Sequence, residues 1–181
     1  MVSMAILNIL KYPDPFLKTK AGYVSSVDAS IKALIRDMSE TMYIAKGIGL
    51  AATQVSVAKR VIVLDVPPDG DMENLEQSRG KNLIILVNPE ITASAGTQEY
   101  DEGCLSLPGI TAYVKRAVEV MVKGLDREGK PVEFDAAGLL AVALQHEIDH
   151  LDGILFIDRL SSLKRGIIKR RLKKNLEAAN L

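Results

Sequence analysis

Between Asp28 and Ala45, apolar side chains recur at Ile31, Leu34, Ile35, Met38, Met42 and Ala45. That three-and-four spacing predicts an amphipathic helix, with Ser26 or Asp28 placed to cap its start. Arg60–Val66 and Leu83–Asn88 break the rhythm: both are short apolar runs rich in β-branched residues, which predicts buried strands. Further strands are predicted over Ile91–Ala93, Ala117–Lys123 and Pro131–Phe134, with Asp126-Arg-Glu-Gly-Lys130 as a hairpin turn. The stretch from Gly138 to Gly153 is apolar on every side through its first half. It predicts a helix that runs through the interior and is closed by Gly153. A last helix is predicted over 161–178.

The remaining segments punctuate this pattern. Tyr12-Pro-Asp-Pro-Phe16 is a turn-rich entry, and Pro67–Asn82 reads as an exposed loop with no visible chemistry. Gly47-Ile-Gly-Leu-Ala-Ala-Thr-Gln54 is too rich in small residues to be an ordinary surface loop. No repeat or low-complexity tract is present. The expected class is α+β: mixed or antiparallel strands packed around a central buried helix, with an amphipathic helix near the N-terminus and a basic helix at the C-terminus. A chain of 181 residues fits one domain, 1–181.

Composition narrows the function classes. Formal net charge is zero, which argues against a protein that coats nucleic acid. The apolar start, Met1–Leu10, has no basic residues ahead of it and no small-residue cleavage site behind it. No apolar run reaches the roughly 18 residues of a membrane span, so a cytoplasmic protein is expected. Cys104 is the single cysteine, so no intrachain disulfide can form, and a metal or catalytic role becomes worth weighing.

The chemistry concentrates in His146-Glu-Ile-Asp-His150, a His-Glu-x-x-His pattern. Residues four apart share a helix face, so both imidazoles can reach one cation while Glu147 lies beside its open position. These are the protein's two histidines, and chance would place them so on the order of once in a thousand chains. Catalytic sites of this kind hold the metal with three protein ligands. Cys104, in Glu102-Gly-Cys-Leu-Ser-Leu-Pro-Gly109, is the distinctive third candidate; as a solitary cysteine it equally suits a small core position.

Three segments, Gly47–Gln54, Glu102-Gly-Cys-Leu-Ser106 and Gln145-His-Glu-Ile-Asp-His150, resemble the signature motifs of the peptide deformylases in that family's order. The resemblance runs from Ile9 to the C-terminal helix. It implies Cys104, His146 and His150 as metal ligands and Glu147 as general base and acid. It implies Gln54 and the Leu105 N–H as donors to the formyl oxygen, and Ile48, Val142 and Ala143 as the methionine side-chain pocket. Gly47 and Gly49, which lack side chains, either let backbone approach the substrate or make a tight turn after the first helix. The implied reaction removes the formyl group from the N-terminal formyl-methionine of new polypeptides, releasing formate. The implied cofactor is one divalent metal ion, Fe(II); a Cys/His₂ donor set suits zinc, nickel or cobalt as well. Where some members carry an arginine beyond the Cys-Leu-Ser motif, ungapped alignment places Thr111.

Histidine ligands usually donate their other N–H to a carboxylate or carbonyl. Glu102 is a candidate for that acceptor, and Asp149 is a candidate partner for Arg116. In the last predicted helix Lys164, Arg165, Lys169, Arg170, Arg171, Lys173 and Lys174 face one acid, Glu177. Such a cluster is a solvated surface or a contact for an anionic partner; the resemblance offers the ribosome as that partner. Two rival functions are open at this point: a His-Glu-x-x-His zinc endopeptidase, and a non-enzymatic module with a structural metal.

Overall fold

The computed structural model describes residues 5–67 and 75–179. Its order is α1 (Ala29–Ile44), β1 (Gly49–Ala51), β2 (Val61–Asp65), α2 (Leu75–Ser78), β3 (Leu83–Ala95), β4 (Gln98–Gly103), β5 (Thr111–Arg116), β6 (Glu119–Leu125), β7 (Pro131–Ala137), α3 (Gly138–Leu151) and α4 (Ser162–Ala179). Short 3-10 turns lie at Pro15–Lys18, Ala52–Val55 and Phe156–Arg159. Five strands form an antiparallel sheet in the order β1-β2-β3-β6-β7, and β4 pairs with β5 in a separate two-stranded sheet.

Strand β2 shows why the apolar runs do not alternate. Ile62 and Leu64 point into a cluster with Leu144, Ile148 and Leu151 of α3, while Val61 and Val63 meet Ile31, Ile35, Met38 and Met42 of α1. With helices on both faces, every β2 residue is buried. Each large apolar side chain so buried contributes about 1.5–3 kcal/mol. Helix α1 starts where the pattern placed it. The Asp28 carboxylate accepts from the N–H groups of Ser30 (2.9 Å) and Ile31 (3.0 Å), satisfying donors that have no partner inside the helix.

The structure departs from the sequence pattern in three places. Leu83–Asn88 and Ile91–Ala93 are one strand, β3, interrupted by a bulge between Val87 and Glu90. Asn88 sits there at φ 53°, its side chain accepting from the Val24 N–H and donating to the Val24 carbonyl, and Pro89 follows where the ladder is broken. Strands β4 (QEYDEG) and β5 (TAYVKR) carry no apolar alternation that would announce them. Their inward positions include Glu102, Val114 and Arg116, so a buried ion pair takes the place that apolar residues fill elsewhere. Within the expected loop 67–82, Leu75–Ser78 is a short helix and residues 68–74 lie outside the described part. Asp65 anchors the end of that loop by accepting from the N–H groups of Gly80 and Asn82 and from the Tyr43 hydroxyl.

Helix α3 lies against the sheet with all but its first residues and Gln145 buried. It ends at Gly153, whose φ of 72° and 2.4 Å approach of a hypothetical Cβ to the Lys18 carbonyl oxygen both demand glycine. A third cluster, with Leu17, Leu107, Ile110, Leu155, Phe156 and Ile157, receives α4 through Leu172 and Ile168. Of the basic residues on α4, all but the half-buried Arg165 are exposed. Among the described residues no helix is long and apolar enough to cross a membrane.

Candidate metal centre and substrate cavity

Helical spacing puts His146 and His150 on the same face of α3, with ring centroids 4.9 Å apart and Nε2 atoms 3.2 Å apart. The turn after β4, closed by the Leu107 N–H donating to the Cys104 carbonyl, brings Cys104 Sγ to 3.2 Å from His150 Nε2. One ligand atom from each of the three residues lies within 4.8 Å of the others. Buried neighbours orient the His146 ring and hold the α3 backbone at His150. Glu102 Oε2 accepts from His146 Nδ1 at 2.8 Å, which fixes that ring with Nε2 turned toward Cys104 and His150. Phe156 stacks on His146 at 6.1 Å, and the Thr53 hydroxyl donates to the His150 carbonyl.

A buried charge network stands behind Glu102. Arg116 grips it with two hydrogen bonds, 2.6 and 2.9 Å, and reaches Asp149 Oδ2 at 2.6 Å. Arg159 closes the chain with a second two-bond contact to Asp149. Pairing of this kind is what allows these charges to be buried at all. It also explains β4 and β5: their registry places Glu102 and Arg116 against α3 rather than in solvent.

The donor set suits a cation. Burial works against charge on both imidazoles, yet Cys104 and Glu102 hold His146 well above the ordinary imidazole value. Burial and then the charge on His146 hold His150 well below it. Two imidazole nitrogens and a cysteine sulfur converging within 4.8 Å of one another are donors that fit a divalent cation. Three donors fall short of the four that close a structural zinc site. Among the described residues this is the one such group of three metal-ligating side chains.

Glu147 is buried beside the cluster, and its Oε2 has no hydrogen-bond partner. Burial first, with Glu102 and Asp149 adding to it, pushes its carboxyl up to about 7 despite the opposing charges of His146 and Arg116. Gly49 makes room for it: a Cβ there would stand 2.4 Å from Glu147 Oε1. Gly47 likewise passes close to Leu105, where a Cβ would meet Cδ1 at 2.8 Å.

Gln54 sits in the 3-10 turn that follows β1. Its Oε1 accepts from the Ala51 N–H, which turns Nε2 toward Ser106 Oγ (3.1 Å) and Cys104 Sγ (3.5 Å). A cavity of about 740 Å³ opens over these groups. Gly47, Ile48, Gly49, Gln54, Cys104, Leu105, Val142, Ala143, His146 and Glu147 all line it, as do Leu139, Tyr100 and Lys11. His150 lies behind the lining, in contact with Cys104 and His146. Thr111 opens β5 opposite Gly103 and is not part of the wall.

The sequence reading did not single out Ser106, which orients Gln54, or Lys11, whose ammonium donates to the Leu105 carbonyl at 2.5 Å. Ser106 closes the Glu102-Gly-Cys-Leu-Ser106 segment, and its hydroxyl two residues from a candidate ligand was a usable signal. Nothing in the sequence brings Lys11, 94 positions away from Leu105, to this site.

Comparison with known proteins shows which family the chain is similar to. Residues 6–166 match the family model described as polypeptide deformylase. The peptide deformylase of Thermodesulfovibrio yellowstonii is 55% identical over 170 residues, spanning 94% of this chain and 98% of the relative. That of Syntrophobacter fumaroxidans is 51% identical over 176 residues, 97% of this chain and 99% of its own. The crystal structure of a peptide deformylase from Legionella pneumophila superposes with TM-score 0.86 at 46% identity, covering 97% and 98% of the two chains. The Ehrlichia chaffeensis enzyme in complex with actinonin gives 0.84 at 38% identity over 95% and 98%. Carrying the family's pattern along nearly its whole length, the chain belongs to the peptide deformylase family.

Proposed function

We propose that the chain is a single catalytic domain that removes the N-formyl group from formyl-methionyl polypeptides, releasing formate. Membership of the family makes it a hydrolase of N-terminal processing in protein biosynthesis and displaces the endopeptidase reading. One observation carries the site assignment: Cys104 and His146 in the cavity wall converge with His150 behind it, beside a buried carboxylate with an unpartnered oxygen.

Cys104, His146 and His150 would hold one divalent cation, with Fe(II) the family's metal and zinc, nickel or cobalt compatible with the same donors. Such a cation supplies Lewis acidity and makes a water acidic enough to attack at neutral pH. Glu147 accepts the proton of that water as its oxygen bonds to the formyl carbon. Charge then builds on the formyl oxygen, where the Gln54 amide and the Leu105 N–H donate; one such donor contributes about 3–4 kcal/mol to lowering a barrier. As the carbon–nitrogen bond breaks, Glu147 returns its proton to the departing amine. Formate and a free N-terminus result, and the carboxylate is restored.

Gly47, Ile48 and Gly49 beside β1 and Val142 and Ala143 of α3 would accept the methionine end of the substrate, since all five line the cavity. The exposed basic face of α4 suits an anionic partner, and the ribosome is the one we propose. Deleting residues 161–181 should then weaken co-sedimentation with ribosomes, most visibly at low salt; undiminished binding would exclude that contact. For the reaction itself, formate release from a formyl-methionyl peptide is the direct assay. Metal-replete Glu147→Ala should keep its metal and lose nearly all turnover, whereas near-normal turnover would remove Glu147 from the proton path.

A further inference from the structure

The two groups proposed to polarise the formyl carbonyl sit on irregular backbone. Gln54 is in a one-turn 3-10 helix that ends at Ser56 with φ 64°, and Leu105 is in the turn between Cys104 and Leu107. Neither segment belongs to an α-helix or a strand ladder, so backbone groups left over from these short turns need outside partners. Three consecutive residues from elsewhere in the chain provide them. The Leu10 N–H donates to the Gln54 carbonyl at 2.8 Å, the Lys11 ammonium to the Leu105 carbonyl at 2.5 Å, and the Tyr12 N–H to the Ser106 carbonyl at 2.8 Å. Gln54 Nε2 and Ser106 Oγ tie the two segments directly, so the tripeptide completes a closed set of cross-links.

From this geometry we infer that Leu10–Tyr12 is a positioning clamp for both carbonyl-polarising donors, and that Lys11 is its side-chain member. The inference rests on the reading of Gln54 and the Leu105 N–H given above. Lys11 and Tyr12 hold the carbonyls on the two peptides that follow the Cys104–Leu105 peptide, whose N–H is the donor. Fixing the plane next door stops Leu105 from turning its N–H away. An exposed ammonium ordinarily stays hydrated and free, because ordering it costs side-chain entropy. Here it is held to a carbonyl at the lip of the cavity, and it is the one clamp bond that a side-chain substitution removes.

The test uses the full-length, metal-loaded protein and formate release from a formyl-methionyl peptide, with Lys11→Met, Lys11→Gln, Lys11→Arg and Gln54→Ala measured together. Lys11→Met removes one charge-assisted hydrogen bond and keeps the apolar stem, so kcat should fall roughly three- to tenfold. KM, metal content and melting temperature should stay close to those of the unaltered protein. Lys11→Arg should restore most of kcat. Lys11→Gln is too short to reach and should lose kcat as the methionine variant does, which keeps the test readable if one of the two melts early. An unchanged kcat in both, a loss confined to KM, or a loss that arginine does not restore would each overturn the clamp. Gln54→Ala separates the two readings: if it is crippled while Lys11→Met is not, the clamp alone fails, and if it retains full kcat, the donor assignment fails.

Discussion

Gly49→Ala adds one methyl group at the point where β1 passes the carboxylate of Glu147. The new Cβ would lie 2.4 Å from Oε1, 2.9 Å from Cδ and 3.0 Å from Cγ. Reaching ordinary van der Waals contact at roughly 3.5 Å requires a displacement of about 1 Å. Gly49 is not in the left-handed region, so alanine is allowed there by the backbone and would otherwise gain about 0.4–1 kcal/mol by restricting the unfolded chain. Overpacking a buried site costs about 1–3 kcal/mol, so the net loss of stability should stay near 2 kcal/mol or less. The obstructed atoms belong to the end of a side chain, and the carboxylate rather than the strand gives way. A misplacement of about 1 Å in a proton-transferring group costs on the order of a hundredfold in rate. The expected result is a folded protein with normal metal content and a kcat about a hundredfold lower, read by formate release with elemental analysis and thermal melting on the same sample. Gly47→Ala, which meets only Leu105 side-chain atoms at its closest contact, should lose less. A metal-replete Gly49→Ala protein with unaltered kcat would refute the claim that this glycine exists to seat Glu147.

Three further outcomes follow from Cys104 and the groups around His146. Cys104→Ser should lower metal retention and turnover together, and unchanged metal content by elemental analysis would remove Cys104 from the ligand set. Glu102→Gln, which loses the acceptor charge behind His146, should weaken metal binding by about 10–100-fold. The Glu102 carboxyl is also sensitive to acid: burial tends to raise it, but Arg116 and His146 outweigh burial and hold it below its ordinary value. Its contribution to stability is therefore present above the ordinary carboxylate value and is lost as pH falls through the depressed folded value. In melts of the metal-free proteins, the advantage of the unaltered chain over the Glu102→Gln variant should shrink toward acid, and a gap independent of pH would contradict the ion pair.

The sequence by itself determined whatever depends on local spacing. Residues four apart on α3 share a face whatever surrounds them, so His146 and His150 were legible as a pair. The Asp28 cap, the periodicity of α1, the buried run of β2 and the terminator Gly153 were legible for the same reason: each signal lies within a few neighbouring positions. The motif resemblance added residues whose spacing says nothing, Cys104 and Gln54 above all. Only the tertiary structure decided what rests on long-range partners. Strands β4 and β5 hid in a polar sequence because the buried pair of Glu102 and Arg116 replaces an apolar stripe. The Asn88-Pro89 break proved to be a bulge because Val24, 64 positions earlier, receives the Asn88 side chain. The role of Gly49 emerged only when Glu147 was seen against it, and that of Lys11 when Leu105 was. Local geometry is set by bonds and sterics that act over a turn or a pleat, whereas the partner of a buried charge or an unpaired carbonyl is chosen by the packing of segments far apart in the chain.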